Sequence, residues 1–155
     1  MYRQPGESVQ MQDTARKTWL SCLAQADPAR LTELVAALDL PEPEVLRAPQ
    51  SGSVMLQGRV SGTGAPFSFG EMTVTRCSLR LPCGTVGHGY VQGRDRDAAR
   101  AAALADALLQ TGRAEELRTA VLAPLEAEAA ARKAARARNA AATRVEFFTL
   151  VRGED

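Results

Sequence analysis

Two alternating segments joined by a very short turn constrain this 155-residue chain more than anything else in it. Residues 67–81 and 85–92 both read as strands, and Pro82-Cys83-Gly84 between them reads as a turn. Strands joined so tightly pair antiparallel, because a parallel pairing needs a crossover of a dozen or more residues. Gly70 predicts an interruption or bulge in the first of them. Upstream, Val45-Leu46-Arg47 is a short strand candidate. Ser53–Val60 alternates, with Val54, Leu56 and Val60 on one side and Met55, Gln57 and Arg59 on the other. Ser61-Gly62-Thr63-Gly64-Ala65-Pro66 reads as a hairpin loop. Its G-x-G lacks a third glycine and a following helix, so it fails the dinucleotide-binding context.

The segments on either side have helical period. Asp13-Thr14 offers cap side chains for a helix carrying Trp19, Leu20, Leu23 and Ala26 on one face. Asp27-Pro28 opens a second helix with the stripe Leu31, Leu34, Val35 and Leu38, stopped by Pro41 and Pro43. After the sheet, Ala101, Leu104, Ala105 and Leu108 form another apolar stripe, and Gly112 is a candidate stop. A further helix begins near Glu115 and is broken or restarted at Pro124. Residues 127–142 are alanine-rich with a poor apolar face. Residues 144–152 read as a terminal strand that is apolar on both faces, which calls for burial on both, by this sheet or by a partner. The expected fold is therefore α+β: an antiparallel sheet with an N-terminal helical hairpin, C-terminal helices and a terminal strand at 144–152. Residues 1–12 are expected to be a flexible leader, and residues 13–155 one domain.

Composition excludes some functions. Lys and Arg total 19 against 18 Asp and Glu, a balance that argues against a dedicated nucleic-acid or polybasic membrane binder. No apolar run approaches a membrane span, and Cys22, Cys77 and Cys83 form no CxxC pair. A cytoplasmic protein with reduced thiols and no metal site is expected. With 28 alanines and no isoleucine the core is thin. That thinness suggests a marginal domain.

Four candidate sites follow from residue chemistry. Gly93-Arg94-Asp95 joins a strand end to a helix start, where free N–H groups attract phosphate and Arg94 can add a bidentate contact. Alternatively, Asp95 or Asp97 caps the helix and Arg94 is solvated. Arg76 and Arg80 share a strand face, with Arg59 on a neighbouring strand. They suit an anionic ligand, a partner's carboxylates or simple exposure. His88 and Tyr90 share a face with Val86, while Gly87 and Gly89 leave the opposite face bare for close approach by a backbone or ligand. His88 is the one ready general acid–base, though an interface or structural role fits a histidine with no evident nucleophile or metal beside it. Phe147 and Phe148 suit a buried terminal strand or a partner contact.

Read in order, these pieces resemble a known family. The helix around Arg16 to Leu23, Val45-Leu46-Arg47-Ala48, Gly62-Thr63-Gly64, Gly70-Glu71 with Thr73, and Thr75-Arg76 with Arg80-Leu81 all carry the resemblance. So do Gly93-Arg94-Asp95, Asp106-Ala107-Leu108, Ala123-Pro124-Leu125 and, most strongly, Phe147-Phe148-Thr149 with Val151-Arg152-Gly153. The chain resembles PhnG, the G subunit of the bacterial carbon–phosphorus lyase core complex. It departs from the pattern in the leader, at Pro41–Pro49, in the alanine-rich helix and at His88-Gly89-Tyr90.

The resemblance implies an α+β subunit that works with the H, I and J subunits and, functionally, with the ATP-binding L subunit, the I subunit being the most direct partner. With H, I and L it would support transfer of an alkylphosphonate to the ribose C1 of ATP. Adenine leaves and ribose 1-alkylphosphonate 5-triphosphate forms. ATP with Mg would be a substrate of the complex, and no cofactor would be bound by this chain. The chain would be inactive alone and hold no catalytic residue, with a purely scaffolding role as the alternative. Under this reading Arg76, Arg80, Gly93, Arg94, Asp95 and Arg152 position phosphate or contact subunits. His88, Tyr90, Phe147, Phe148 and Val151 lie at an interface.

Overall fold

The computed structural model describes residues 5–143. The terminal strand expected at 144–152 lies outside the described residues, with Phe147, Phe148, Val151 and Arg152. Two helices come first, α1 (Pro5–Gln25) and α2 (Pro28–Ala36). The strands β1 (Glu44–Arg59), β2 (Pro66–Arg80) and β3 (Val86–Gln92) follow, then α3 (Arg96–Leu109), α4 (Ala114–Leu117) and α5 (Ala123–Ala142). The sheet is a three-stranded antiparallel meander in the order β1-β2-β3, as the turn at Pro82-Cys83-Gly84 requires. Gly84 closes that turn at φ +88°, its N–H donating to the Leu81 carbonyl at 2.8 Å.

Helix α1 starts at Pro5, a residue tolerated in a first turn, so Asp13 and Thr14 are interior rather than capping positions. Asp27 caps α2 as expected, its carboxylate accepting from the Arg30 N–H at 3.0 Å. The two strand candidates upstream of the loop prove to be one strand, β1, with irregular register between Val45 and Gln50. Pro49 breaks the pattern in sequence, yet it is accepted because β1 is an edge strand. The bulge expected near Gly70 is present. Leu56 faces Gly70 and Gln57 faces Ser68, leaving Phe69 as the extra residue.

The helices cover one face of the sheet. Cys77, Leu79 and Val91 point into this layer and meet Leu23, Leu31 and Leu108 in the core. Gly87 and Gly89 let α3 lie directly on β3. A Cβ at Gly87 would overlap the Ala103 carbonyl oxygen, and one at Gly89 the Ala99 carbonyl oxygen. The close approach expected at these glycines is thus made by a helix backbone. All alanines of α3 are buried there, which widens the expected four-residue stripe.

The outer rim of β3 is closed by side chains of α3. The His88 N–H donates to Asp106 Oδ2 at 2.9 Å, and Gln110 Nε2 donates to the Val86 carbonyl at 3.1 Å. No described strand lies on the outer rim of β1. Helix α3 ends with Gln110 in the cap position, two residues before the expected stop at Gly112. Between α4 and α5 the chain stays helical through a widened π turn, Arg118–Leu122. Pro124 has no N–H to donate back and its ring crowds the preceding turn, which the π geometry relieves.

Candidate functional site

The face of the sheet that carries no helices gathers residues the sequence presents as two separate candidates. Register pairs Arg76 with Gln50 and Tyr90, Ser78 with His88, and Arg80 with Glu44 and Val86. Arg76, Arg80, His88 and Tyr90 therefore lie on adjacent strands of one open face, and all four are exposed. Arg59 is on the neighbouring strand as expected, but at its far end opposite Pro66, where Nη1 donates to the Gly64 carbonyl at 3.1 Å.

The two sheet arginines differ in partners. Arg80 Nη1 bonds Glu44 Oε2 at 3.3 Å across the edge, an exposed pair worth little in itself. The Arg76 side chain makes no hydrogen bond or ion pair with any described residue. It borders a hollow of about 260 Å³ lined also by Gln50, Ser53, Val54, Val74 and Tyr90. A free guanidinium beside a phenol and an amide suits an oxyanion, whether phosphate or carboxylate.

His88 Nδ1 lies 3.0 Å from Ser78 Oγ, a partner not evident from sequence. Sequence offered one signal for it, the shared alternation of two strands in register. A nucleophile needs a base oriented by a third group, and the described hydrogen bonds place no carboxylate on the imidazole. The pair is a cross-strand contact on an exposed surface.

The Gly93-Arg94-Asp95 turn is used by the fold itself. Gly93 sits at φ +92°, its N–H donating to the Thr73 carbonyl at 2.9 Å and its carbonyl accepting from Thr75 Oγ1 at 2.8 Å. Asp95 Oδ1 accepts from the Ala98 N–H at 2.8 Å, so the helix end is capped and Asp97 adds a second negative charge in its first turn. That is the capping use open to Asp95. Arg94 is exposed.

What sequence reasoning missed is Asp106, a fully buried carboxylate inside the alanine face of α3. It accepts from Arg16 Nη2 at 2.7 Å, Arg16 Nε at 3.2 Å, Trp19 Nε1 at 2.9 Å and the His88 N–H at 2.9 Å. Every acceptor direction is used, which makes a buried charge tolerable. The hydrogen bond to Asp106 also holds the Arg16 guanidinium pKa above its ordinary value, against the opposing effect of burial. This hub ties α1, α3 and β3 together and holds the backbone beneath His88. An acidic residue flanked by alanines on a buried helix face was the available signal.

Arg16 and Trp19 also line a hollow of about 420 Å³, with Arg118 5.8 Å from the indole centroid. Asp13 lines it too, Asp106 holds Arg16, and Glu115 lies 3.5 Å from Arg118. Three carboxylates thus offset two guanidiniums, and the hollow is no anion trap. Burial raises the thiol pKa of Cys22 and Cys77, whereas hydrogen bonding to Thr85 lowers that of exposed Cys83. Among the described residues no group of three His, Cys, Asp or Glu side chains could hold a metal ion. No described helix is long and apolar enough to cross a membrane.

A family model described as phosphonate metabolism protein PhnG matches residues 14–153. The chain is 43% identical over 145 residues to a protein of Rhizobium meliloti (strain 1021), with 90% of each covered. That relative is named alpha-D-ribose 1-methylphosphonate 5-triphosphate synthase subunit PhnG.

Proposed function

Because this chain belongs to the PhnG family of phosphonate metabolism proteins, we propose that it is a subunit of a ribose 1-alkylphosphonate 5-triphosphate synthase. The observation that carries this reading is the near full-length likeness to a named synthase subunit. In it, the H, I and L subunits act with this chain to move an alkylphosphonate onto the ribose C1 of ATP, with adenine as leaving group. ATP with Mg is the substrate, the J subunit completes the core complex, and the chain is inactive alone in the cytoplasm. Departure of adenine develops positive charge at the anomeric carbon while the triphosphate stays anionic. Such a reaction needs charge held in place more than it needs another nucleophile. Arg76, unpaired among the described residues of the open face, is the one best suited to that task or to a partner's carboxylate. Arg80 and Arg94 are secondary to it. Arg152 belongs to the same reading without structural support. A scaffolding role is the second reading, and the exposed ring pair Phe67–Phe69, 6.1 Å between centroids, favours it.

The test is adenine release from ATP and methylphosphonate by the H, I and L subunits, with and without this chain. Release that depends on the chain supports the assignment, and equal release without it overturns a role in the reaction. Arg76→Ala then separates the two readings. Lower turnover in an intact complex marks phosphate positioning, and unchanged turnover marks a scaffold.

A further inference from the structure

The open face of the sheet has two halves of different chemistry, and the distal half is unusual for a surface. Strand β3 pairs only with residues 74–80 of β2, so, among the described residues, 53–59 and 66–73 form a two-stranded ribbon with no third strand. Such a ribbon is marginal in water by itself. Register puts Val54, Leu56 and Met72 on the same side as Val74 and Arg76, and Phe67 opposite Gly58 on that side. The Phe69 ring lies over Gly58, 3.1 Å from where a Cβ would stand, so the bulge turns both rings onto this face. They remain 47% and 60% exposed. A solvated sheet face alternates to polar residues, whereas this one presents a continuous apolar strip.

The proximal half carries Arg76, His88 and Arg80, and the one carboxylate paired to it there is Glu44, at the strand edge. The charge left unpaired by the described residues is thus cationic and lies at one end of the apolar strip. From Phe67 to Arg80 the face spans about 43 Å at 3.3 Å per residue. We propose that this face is the docking surface for a neighbouring subunit of the synthase, apolar where it meets Phe67 and Phe69 and bearing carboxylates where it meets Arg76. This rests on the subunit assignment above and names the surface that assignment uses. The cationic end selects an acidic partner.

The test uses the full chain co-expressed with the other subunits. Phe67→Ser with Phe69→Ser is expected to weaken co-purification roughly thirtyfold or more, as loss of a buried aromatic anchor does. Arg76→Glu is expected to weaken it further at low salt than at high salt, since screening masks a charge contact. Hydrogen exchange of the parent complex should show residues 54–58 and 67–72 protected relative to the free chain. Parent assembly with undiminished capture of both variants, or no added protection of the ribbon, overturns the docking face and leaves the subunit assignment standing. Failure of the parent chain to assemble at all overturns both. A homodimer of the free chain that the double variant abolishes makes a second copy the occupant and overturns the stated partner.

Discussion

Helices α3 and α5 are both built largely of alanine and end in opposite environments. In α3 every alanine is buried, whereas in α5 the one buried residue is Leu125. The difference does not lie in the helices. Gly87 and Gly89 on β3 remove the side chains that would hold α3 away, and the α3 backbone with the Ala107 Cβ lies close against them. No described strand of that kind faces α5, and its alanines serve as good helix formers on a surface. An alanine count alone therefore misjudges the core. In α3 alanine gains close packing of backbone on backbone, which area per residue underestimates.

Four substitutions sharpen or break this contrast. The largest effect belongs to Asp106→Ala, which leaves Arg16, the Trp19 N–H and the His88 N–H without their acceptor. It should cost about 3–5 kcal/mol of unfolding free energy in urea titration. Next, Ala103→Leu in α3 should cost about 3 kcal/mol by the same measurement, since Ala103 is fully buried and its carbonyl oxygen lies against Gly87. A loss under about 1 kcal/mol there would break the claim that the glycines set the spacing. Asp95→Ala removes the α3 cap and should cost about 1 kcal/mol. Smallest is Ala134→Leu on exposed α5, expected within about 0.5 kcal/mol of the parent. Parity between the Ala103 and Ala134 variants would erase the distinction between the two helices.

Local features were legible in the sequence because one stretch of chain carries each of them. The turn at Pro82-Cys83-Gly84, the bulge beside Gly70, the Asp95 cap and the bare face at Gly87 and Gly89 all follow from neighbouring residues. The gathering of Arg76, Arg80, His88 and Tyr90 was half legible. Period two assigns each pair to a face, but the register that joins the pairs is a property of two strands. Asp106 escaped because its partners Arg16 and Trp19 lie 90 and 87 residues away. Pro49 disguised one strand as two, since its tolerance depends on β1 lying at the edge. The Phe67–Phe69 patch depends on the extra residue in the bulge, and no periodicity places an inserted residue on a face.

The closed rim of β3 has a consequence for how this sheet can associate. Asp106 and Gln110 occupy the outward backbone groups of His88 and Val86, so another chain cannot add there by hydrogen bonding. On β1, Pro49 and the irregular register obstruct the early part, which leaves the stretch after Gln50 as the rim that can accept a strand. The described strands thus offer a single accepting rim, and such a sheet cannot be propagated from copy to copy. Strand addition, from whatever source, terminates after one event, so such contacts give closed pairs rather than fibres.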